Sequence, residues 1–236
     1  MRLGQAVLAF AAAGLLFAAN ASGQTDLEQR CAAGDGEDAV AACSDIIGTG
    51  ADRDVSWAYF DRGRAYVHGK LYASAISDFT EFLRFYPRHA GAFTLRARAF
   101  LGMDDYSHAI DDFDSAAELQ PASADALREA CWARAASDRG LDGAVDDCTK
   151  ALALRPGDPA ILETRCLAQL RNKAYAAAIA DCSAALERNP LRASALYLRG
   201  LVKKKTGLSG GDRDIAASTT LDPDVAADFA QHGIKP

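Results

Sequence analysis

The sequence predicts an all-α protein, a solenoid of stacked helix-turn-helix units. Three observations lead there. Pro87, Pro121, Pro156 and Pro190 stand 34, 35 and 34 residues apart. Each closes a segment such as YASAISDFTEFLRFYP or YSHAIDDFDSAAELQP, whose apolar residues recur at helical spacing. Alignment on the prolines then brings up further columns: Ala75, Ala109, Ala144 and Ala178; four residues on, Phe79, Phe113, Cys148 and Cys182; three further, Phe82, Ala116, Ala151 and Ala185. Steps of four and three keep to one face of a helix. A unit of this length buries its apolar face only by stacking on its neighbours.

The elements follow in chain order. The opening MRLGQAVLAFAAAGLLFAANASGQ has Arg2 as its one charge, an apolar run from Ala6 to Ala19, and then Ala19-Asn20-Ala21. A positive start, a short apolar core and a small-residue site are the parts of a secretory signal peptide. The run is shorter than the roughly twenty residues a spanning helix needs, which disfavours a membrane anchor. Residues 1–21 are therefore expected to be removed after Ala21, and no later apolar run could span a membrane. The LEQR before Cys31 is unlike the small apolar stretch that precedes a bacterial lipoprotein's cysteine.

Residues 22–50 read as a shortened helical hairpin, with Ala39 and Cys43 in the second-helix columns. IGTGADR at 47–53 reads as a linker. An array at 51–223 follows, with units at about 56–89, 90–123, 124–158, 159–192 and a degenerate 193–223 that keeps Gly200, Gly211 and Ile215. The first helix of each unit shows its own stripe, Tyr59, Gly63 and Tyr66, repeated as Phe93, Ala97 and Phe100. Residues 222–236 are a closing helix and tail, with Asp222 as N-cap, Pro223 in the first helical position and Gly233 at the stop.

This pattern closely resembles the tetratricopeptide repeat, a helix-turn-helix unit of 34 residues with aromatic and small residues on its first helix, and alanine, an aromatic and a closing proline on its second. Residues 56–192 match as four successive units, although the usual first-helix tryptophan is missing and arginine replaces an expected leucine. The related Sel1-like solenoid fits the regular spacing less well. The resemblance implies a right-handed superhelical array whose first helices line a concave face that binds a protein or peptide. It implies a scaffold or adaptor rather than an enzyme.

All six cysteines follow Ala21, and exported proteins keep disulfides. Six cysteines permit fifteen pairings. The resemblance selects among them, because in the family the column Gly63, Ala97, Cys131, Cys166, Gly200 faces the column Phe79, Phe113, Cys148, Cys182, Ile215 inside one hairpin. Both columns switch to cysteine together in the third and fourth units. The implied bridges are Cys131–Cys148 and Cys166–Cys182, with Cys31–Cys43 left for the first hairpin. Zinc would call for close cysteine or histidine pairs, and a redox centre for C-x-x-C; neither occurs. His68, His89, His108 and His232 lie outside the cysteine columns, so the expectation is no metal and no cofactor.

The formal net charge is −6, or −7 once Arg2 is removed, which suits a phosphate backbone poorly and argues against a nucleic-acid partner. GLSGG at 207–211 satisfies G-x-S-x-G, the elbow of serine hydrolases, and Ser209 would be the nucleophile. That elbow needs a strand before it, whereas ALYLRGLVKKKTG reads as helix. AGDGEDA at 33–39 fits a helix-cap turn better than a calcium loop. The run Lys203 to Lys205 suits the end of a helix.

Arg62, Arg96, Arg165 and Arg199 recur in one first-helix column. Asp78, Asp112, Asp147, Asp181 and Asp214 recur on the second helices. A structural arginine–aspartate ladder is expected, since charges near an interior seldom go unpaired. The third unit has Ala130 in the arginine column, so Asp147 is expected to lack that partner. Beside the core stripe, steps of three and four place Trp57, Phe60 and Arg64, then Thr94 and Arg98, Arg128 and Trp132, Glu163 and Leu167, Tyr197 and Leu201 on the groove face. Tryptophan, tyrosine and arginine are the residues most enriched at binding hot spots. Arg64, Arg98 and Arg128 would favour a ligand with acidic groups.

Overall fold

The computed structural model describes residues 23, 25–50 and 54–235. The expected signal peptide lies outside them. Among the described residues there are thirteen helices and no strand. They form two compact units that divide after Met103. The first holds α1 (residues 25–32), α2 (Gly36–Thr49), α3 (Ser56–His68), α4 (Tyr72–Phe85) and α5 (Ala90–Leu101). The second holds α6 (Tyr106–Leu119), α7 (Ala124–Ser137), α8 (Leu141–Leu154), α9 (Pro159–Arg171), α10 (Tyr175–Arg188), α11 (Ala193–Thr206), α12 (Gly211–Leu221) and α13 (Val225–Gln231). Consecutive helices pack against one another within each unit, and α7 also packs on α9, and α9 on α11.

The prolines set where the second helices end. A residue before proline is pushed out of the helical region by the ring's Cδ. Tyr86, Gln120, Arg155 and Asn189, each just before a ruler proline, have φ between −124° and −144° and ψ between 70° and 94°. Asp222, before Pro223, has the same extended backbone and ends α12. The first helices start on side-chain caps where the sequence supplies one. The Ser123 hydroxyl accepts from the Ala126 N–H, and the Asp158 carboxylate accepts from the Ala160 and Ile161 N–H groups, with Pro159 in the first turn.

The turn inside each pair has its own repeat. Lys70, Asp104, Asp138, Lys173 and Gly207 all have φ between 58° and 72°. At four of these turns a bond reaches back five residues, from Leu71 to Tyr66, Arg139 to Arg134, Ala174 to Gln169 and Leu208 to Lys203, at 2.8–3.0 Å. One left-handed residue with such a bond is the Schellman way of ending a helix. Only the fifth of these positions holds glycine.

The columns meet as cores. Phe79 is fully buried beneath Gly63, where an added Cβ would lie 2.9 Å from the ring. A Cβ at Gly200 would lie 2.7 Å from Ile215. One cluster in the second unit joins Cys131, Cys148, Cys166, Cys182, Leu167, Tyr197, Leu198 and Leu201 with Val225 and Ile234. Two expectations change. The stretch read as a linker begins inside α2, because Ile47 packs on the core of Cys31, Ala42, Cys43 and Ala58. Asp222 does not cap α13: its carboxylate accepts from the Asp224 N–H in the preceding turn, and the helix starts at Val225.

Candidate binding face of the first helices

In the first unit the face beside the core stripe is carried by α3 and α5. Phe60 is half-buried and its ring lies 5.9 Å from Phe79, 4.9 Å from Phe82 and 5.3 Å from His89. Trp57 is half-buried on the Cys31–Cys43 cluster. Arg64 donates to Asp61 at 3.0 Å and lies over Gly34. Thr94 bonds the Ala90 carbonyl of its own helix, while Arg98 is exposed.

In the second unit the corresponding face is covered. Leu167, Tyr197 and Leu201 are 3%, 1% and 0% exposed and share one core cluster with Val225 and Ile234 of the C-terminal segment. The Phe229 ring stacks on Tyr197 at 5.4 Å with an interplanar angle of 16°. Val225 and Ile234, at either end of that segment, are buried in the same cluster. His232 reaches α7 and α6, its ring 5.3 Å from Trp132 edge-on and its Nδ1 2.9 Å from the Tyr106 hydroxyl. Arg171 at the end of α9 donates to the His232 carbonyl and, at 3.2 Å, to the Ala136 carbonyl of α7. Its charge faces Asp138 at 3.7 Å. Its Nε is buried and has no hydrogen-bond partner. Arg128 is half-buried, 3.6 Å from Glu129. Gly233, at φ 72°, ends α13 through an Ile234 N–H to Phe229 carbonyl bond of 3.0 Å.

Behind this face the pairs are fastened together. Each bridge joins two successive helices: Cys31 to Cys43, Cys131 to Cys148 and Cys166 to Cys182, with Cα separations of 4.8, 5.6 and 5.5 Å. The arginine–aspartate ladder is present. Arg62 grips Asp78 through two bonds of 2.8 Å, Arg165 grips Asp181 at 2.6 and 2.8 Å, and Arg199 grips Asp214 at 2.7 and 2.9 Å. Several of these arginines also reach back to the preceding second helix. Arg62 donates to Ser44 at 2.9 Å, Arg96 to Thr80 at 2.9 Å and Arg165 to Thr149 at 3.3 Å. The aspartate bond ties the two helices of one pair, and the hydroxyl bond ties that pair to the one before it. Asp147 lacks the column arginine, as Ala130 there implies; Arg134, one turn beyond Ala130, takes that place, bonding it at 2.6 Å and also reaching Asp114 on α6.

No family model matches the sequence, and no curated protein matches it. Solved structures do match. PilW, described as a widely conserved type IV pilus biogenesis factor, superposes with a TM-score of 0.65 at 19% identity, over 77% of this chain and 84% of its own. YrrB, described as a TPR protein with an unusual peptide-binding site, gives 0.61 at 16% identity, over 80% and 95%. MamA gives 0.62 at 17% identity, over 73% and 94%. This chain has the tetratricopeptide fold.

The tetratricopeptide arrangement accounts for two of the motifs. Ser209 sits in the exposed turn between α11 and α12, flanked by Gly207 at φ 72° and Gly210 at φ 85°. With helix on both sides it lacks the strand that a nucleophile elbow requires. The lysine run closes α11, where Lys203 bonds Asp214 and Lys204 bonds Asp212, both at 2.7 Å. Sequence reasoning missed Arg134, Arg171 and the docking of residues 225–234. Arg134 could have been found, since it falls one turn from a vacant column on the same helix face. Arg171 and the tail belong to no column.

Proposed function

We propose that this chain is an exported scaffold or adaptor of the cell envelope that binds a protein or peptide on the first-helix face of its tetratricopeptide array. The observation that carries this reading is that the face in the second unit already receives a segment of polypeptide, with an aromatic on Tyr197 and a main-chain carbonyl on Arg171. Peptide-binding grooves generally combine apolar pockets with a few placed polar groups in this way. Three disulfides support an oxidising compartment, as does the N-terminal pattern of residues 1–21. The similarity to YrrB, described by its peptide-binding site, and to PilW, a pilus biogenesis factor, points the same way.

In this reading the partner-facing residues are Trp57, Phe60, Arg64, Thr94 and Arg98 in the first unit, and Arg128, Trp132, Leu167, Tyr197 and Leu201 in the second. The face offers an acidic partner less positive charge than the arginine count alone implies. Arg64 and Arg128 each have a carboxylate nearby already, at 3.0 and 3.6 Å. Apolar contact and main-chain recognition carry more of the binding. The test is fractionation of cells with chemical crosslinking of the native envelope, followed by mass spectrometry. The reading expects the chain in the envelope fraction, starting at Ser22 and crosslinked to a defined protein. A chain found reduced in the cytosol, with its N-terminus intact, contradicts it.

A further inference from the structure

The C-terminal segment is seated as a ligand would be. Val225 and Phe229 stand four residues apart and so share one face of α13. Phe229 meets Tyr197 of α11, and Val225 and Ile234 enter the cluster of Leu167 and Leu201. Just before the turn at Gly233, the His232 side chain reaches Trp132 of α7 and Tyr106 of α6. Residues 225–234 therefore touch the first helices α11, α9 and α7, and α6 beside them, on the face where a tetratricopeptide array takes its partner.

Two features distinguish this seat from an ordinary core. Arg171, whose charge faces Asp138, also donates to a main-chain carbonyl of the segment, a group that any peptide offers, and leaves a buried Nε–H without an acceptor. A packed interior seldom tolerates an unmatched guanidinium N–H. The covering helix is also slight, with seven residues and no side-chain cap on its first turn. A helix that short has little stability apart from its contacts. The segment is thus held by the face rather than by itself.

We propose that the first-helix face of α7, α9 and α11 is a site for a short helical segment of a partner protein, occupied in cis by residues Val225–Ile234 until that partner displaces them. The partner segment carries a branched aliphatic and an aromatic four residues apart, followed by a turn whose carbonyl takes Arg171. This rests on the proposed binding role of the first helices and adds the chemistry of the ligand and the means of control.

The probe is a fluorescein-labelled synthetic peptide of residues 222–236, titrated by fluorescence anisotropy against the oxidised full-length protein and against its Val225→Ser/Phe229→Ser variant. The variant is expected to bind the peptide at least tenfold more tightly than the wild type, because its own segment no longer competes. Equal binding to both, or binding to neither with the helical circular dichroism unchanged, overturns the proposal. Should the variant unfold, the wild-type protein decides the matter by hydrogen exchange at saturating peptide. Amides of 225–234 are expected to lose protection while those of α9 and α11 keep theirs; amides that stay protected show a segment that belongs to the core. A dimer that grows with concentration by exchanging tails between copies contradicts the occupation in cis. A partner crosslinked through Arg98 of α5 while the tail stays protected would leave the binding function standing and remove this inference alone.

Discussion

Arg134 donates to Asp147 at 2.6 Å from a position one turn beyond the column that holds arginine elsewhere. The same guanidinium reaches Asp114 at 2.6 and 2.7 Å, so one side chain joins α7 to both α8 and α6. Asp147 and Asp214, which share this column, are shifted in opposite directions. Burial pushes the Asp147 carboxyl up, and Arg134, shared with Asp114, together with Lys150 at 4.0 Å does not reverse this. Burial also acts on Asp214, but bonds from Arg199 and Lys203 outweigh it and hold that carboxyl below the usual range.

That contrast fixes a pH signature. A carboxyl whose folded pKa is lowered stabilises the fold above its unfolded value of about 3.9, and the contribution is lost as pH falls through the folded value. A raised carboxyl does the reverse. Asp214→Asn is expected to lower stability at pH 7 by about 2 kcal/mol, the scale of losing bonds to charged groups, with the deficit shrinking below pH 4. Asp147→Asn is expected to lose less at pH 7. Urea midpoints at the two pH values check this; an Asp147 variant weaker than the Asp214 variant at pH 7 contradicts it.

Arg134→Ala leaves Asp147, whose side chain is 15% exposed, with no hydrogen-bonded cation and only Lys150 at 4.0 Å. Removing one member of a buried pair costs more than the pair contributes. The expected loss is about 2 kcal/mol, larger than for Arg84→Ala, whose partner Glu81 is 40% exposed. Thermal unfolding of both variants measures the difference, and equal losses refute it.

The disulfides close loops with separations of 12, 17 and 16 residues. Each contributes about 3 kcal/mol on the chain-entropy model. Reduction is expected to lower the melting temperature by more than 10 °C while helical circular dichroism persists at 25 °C, since α3 to α6 contain no cysteine. No change on reduction, or free thiols in the untreated protein, goes against the assigned bridges.

Lys70 and Lys173 hold φ of 58° and 59° where an L side chain is strained. Lys173→Gly is expected to raise stability by about 0.5–1 kcal/mol, the strain relieved less the entropy of glycine in the unfolded chain. A guanidinium melt whose midpoint fails to rise would remove the left-handed turn from the account.

His232 supplies a pH dependence for the tail. Burial beside Trp132 and Tyr106 lowers its ring below the usual imidazole range; Asp104 and Asp228 oppose this and Arg171 adds to it. The docked ring binds its proton less readily than the free one, so docking is fully favourable above about pH 6.5 and weakens as pH falls. Hydrogen exchange at Phe229 to Ile234 is expected to show less protection at pH 5.5 than at pH 7.5, after correction for intrinsic rates. Protection that is unchanged, or lost equally in His232→Gln, contradicts the assignment to this ring.

The period and the paired columns were legible because each column repeats and because residues that face each other change together, as Gly63 with Phe79 and Cys131 with Cys148 do. Arg134 was hidden by occupying a column that holds Tyr66 and Phe100 elsewhere. The left-handed turns escaped notice because lysine and aspartate, rather than glycine, fill four of the five. The covering of Tyr197 by Phe229 was not legible at all. Val225, Phe229 and Ile234 belong to no repeat, and a single short helix can dock on any apolar face within reach of its linker.

The central claim is that partners bind on the first-helix face. A photoreactive amino acid placed singly at Thr94 or Arg98 on α5, and as controls at Arg84 on α4 or Glu187 on α10, tests it most directly in intact cells. The account predicts one discrete crosslinked partner from Thr94 and Arg98 and none from Arg84 or Glu187. The same partner captured from the control positions, with nothing at α5, would contradict it.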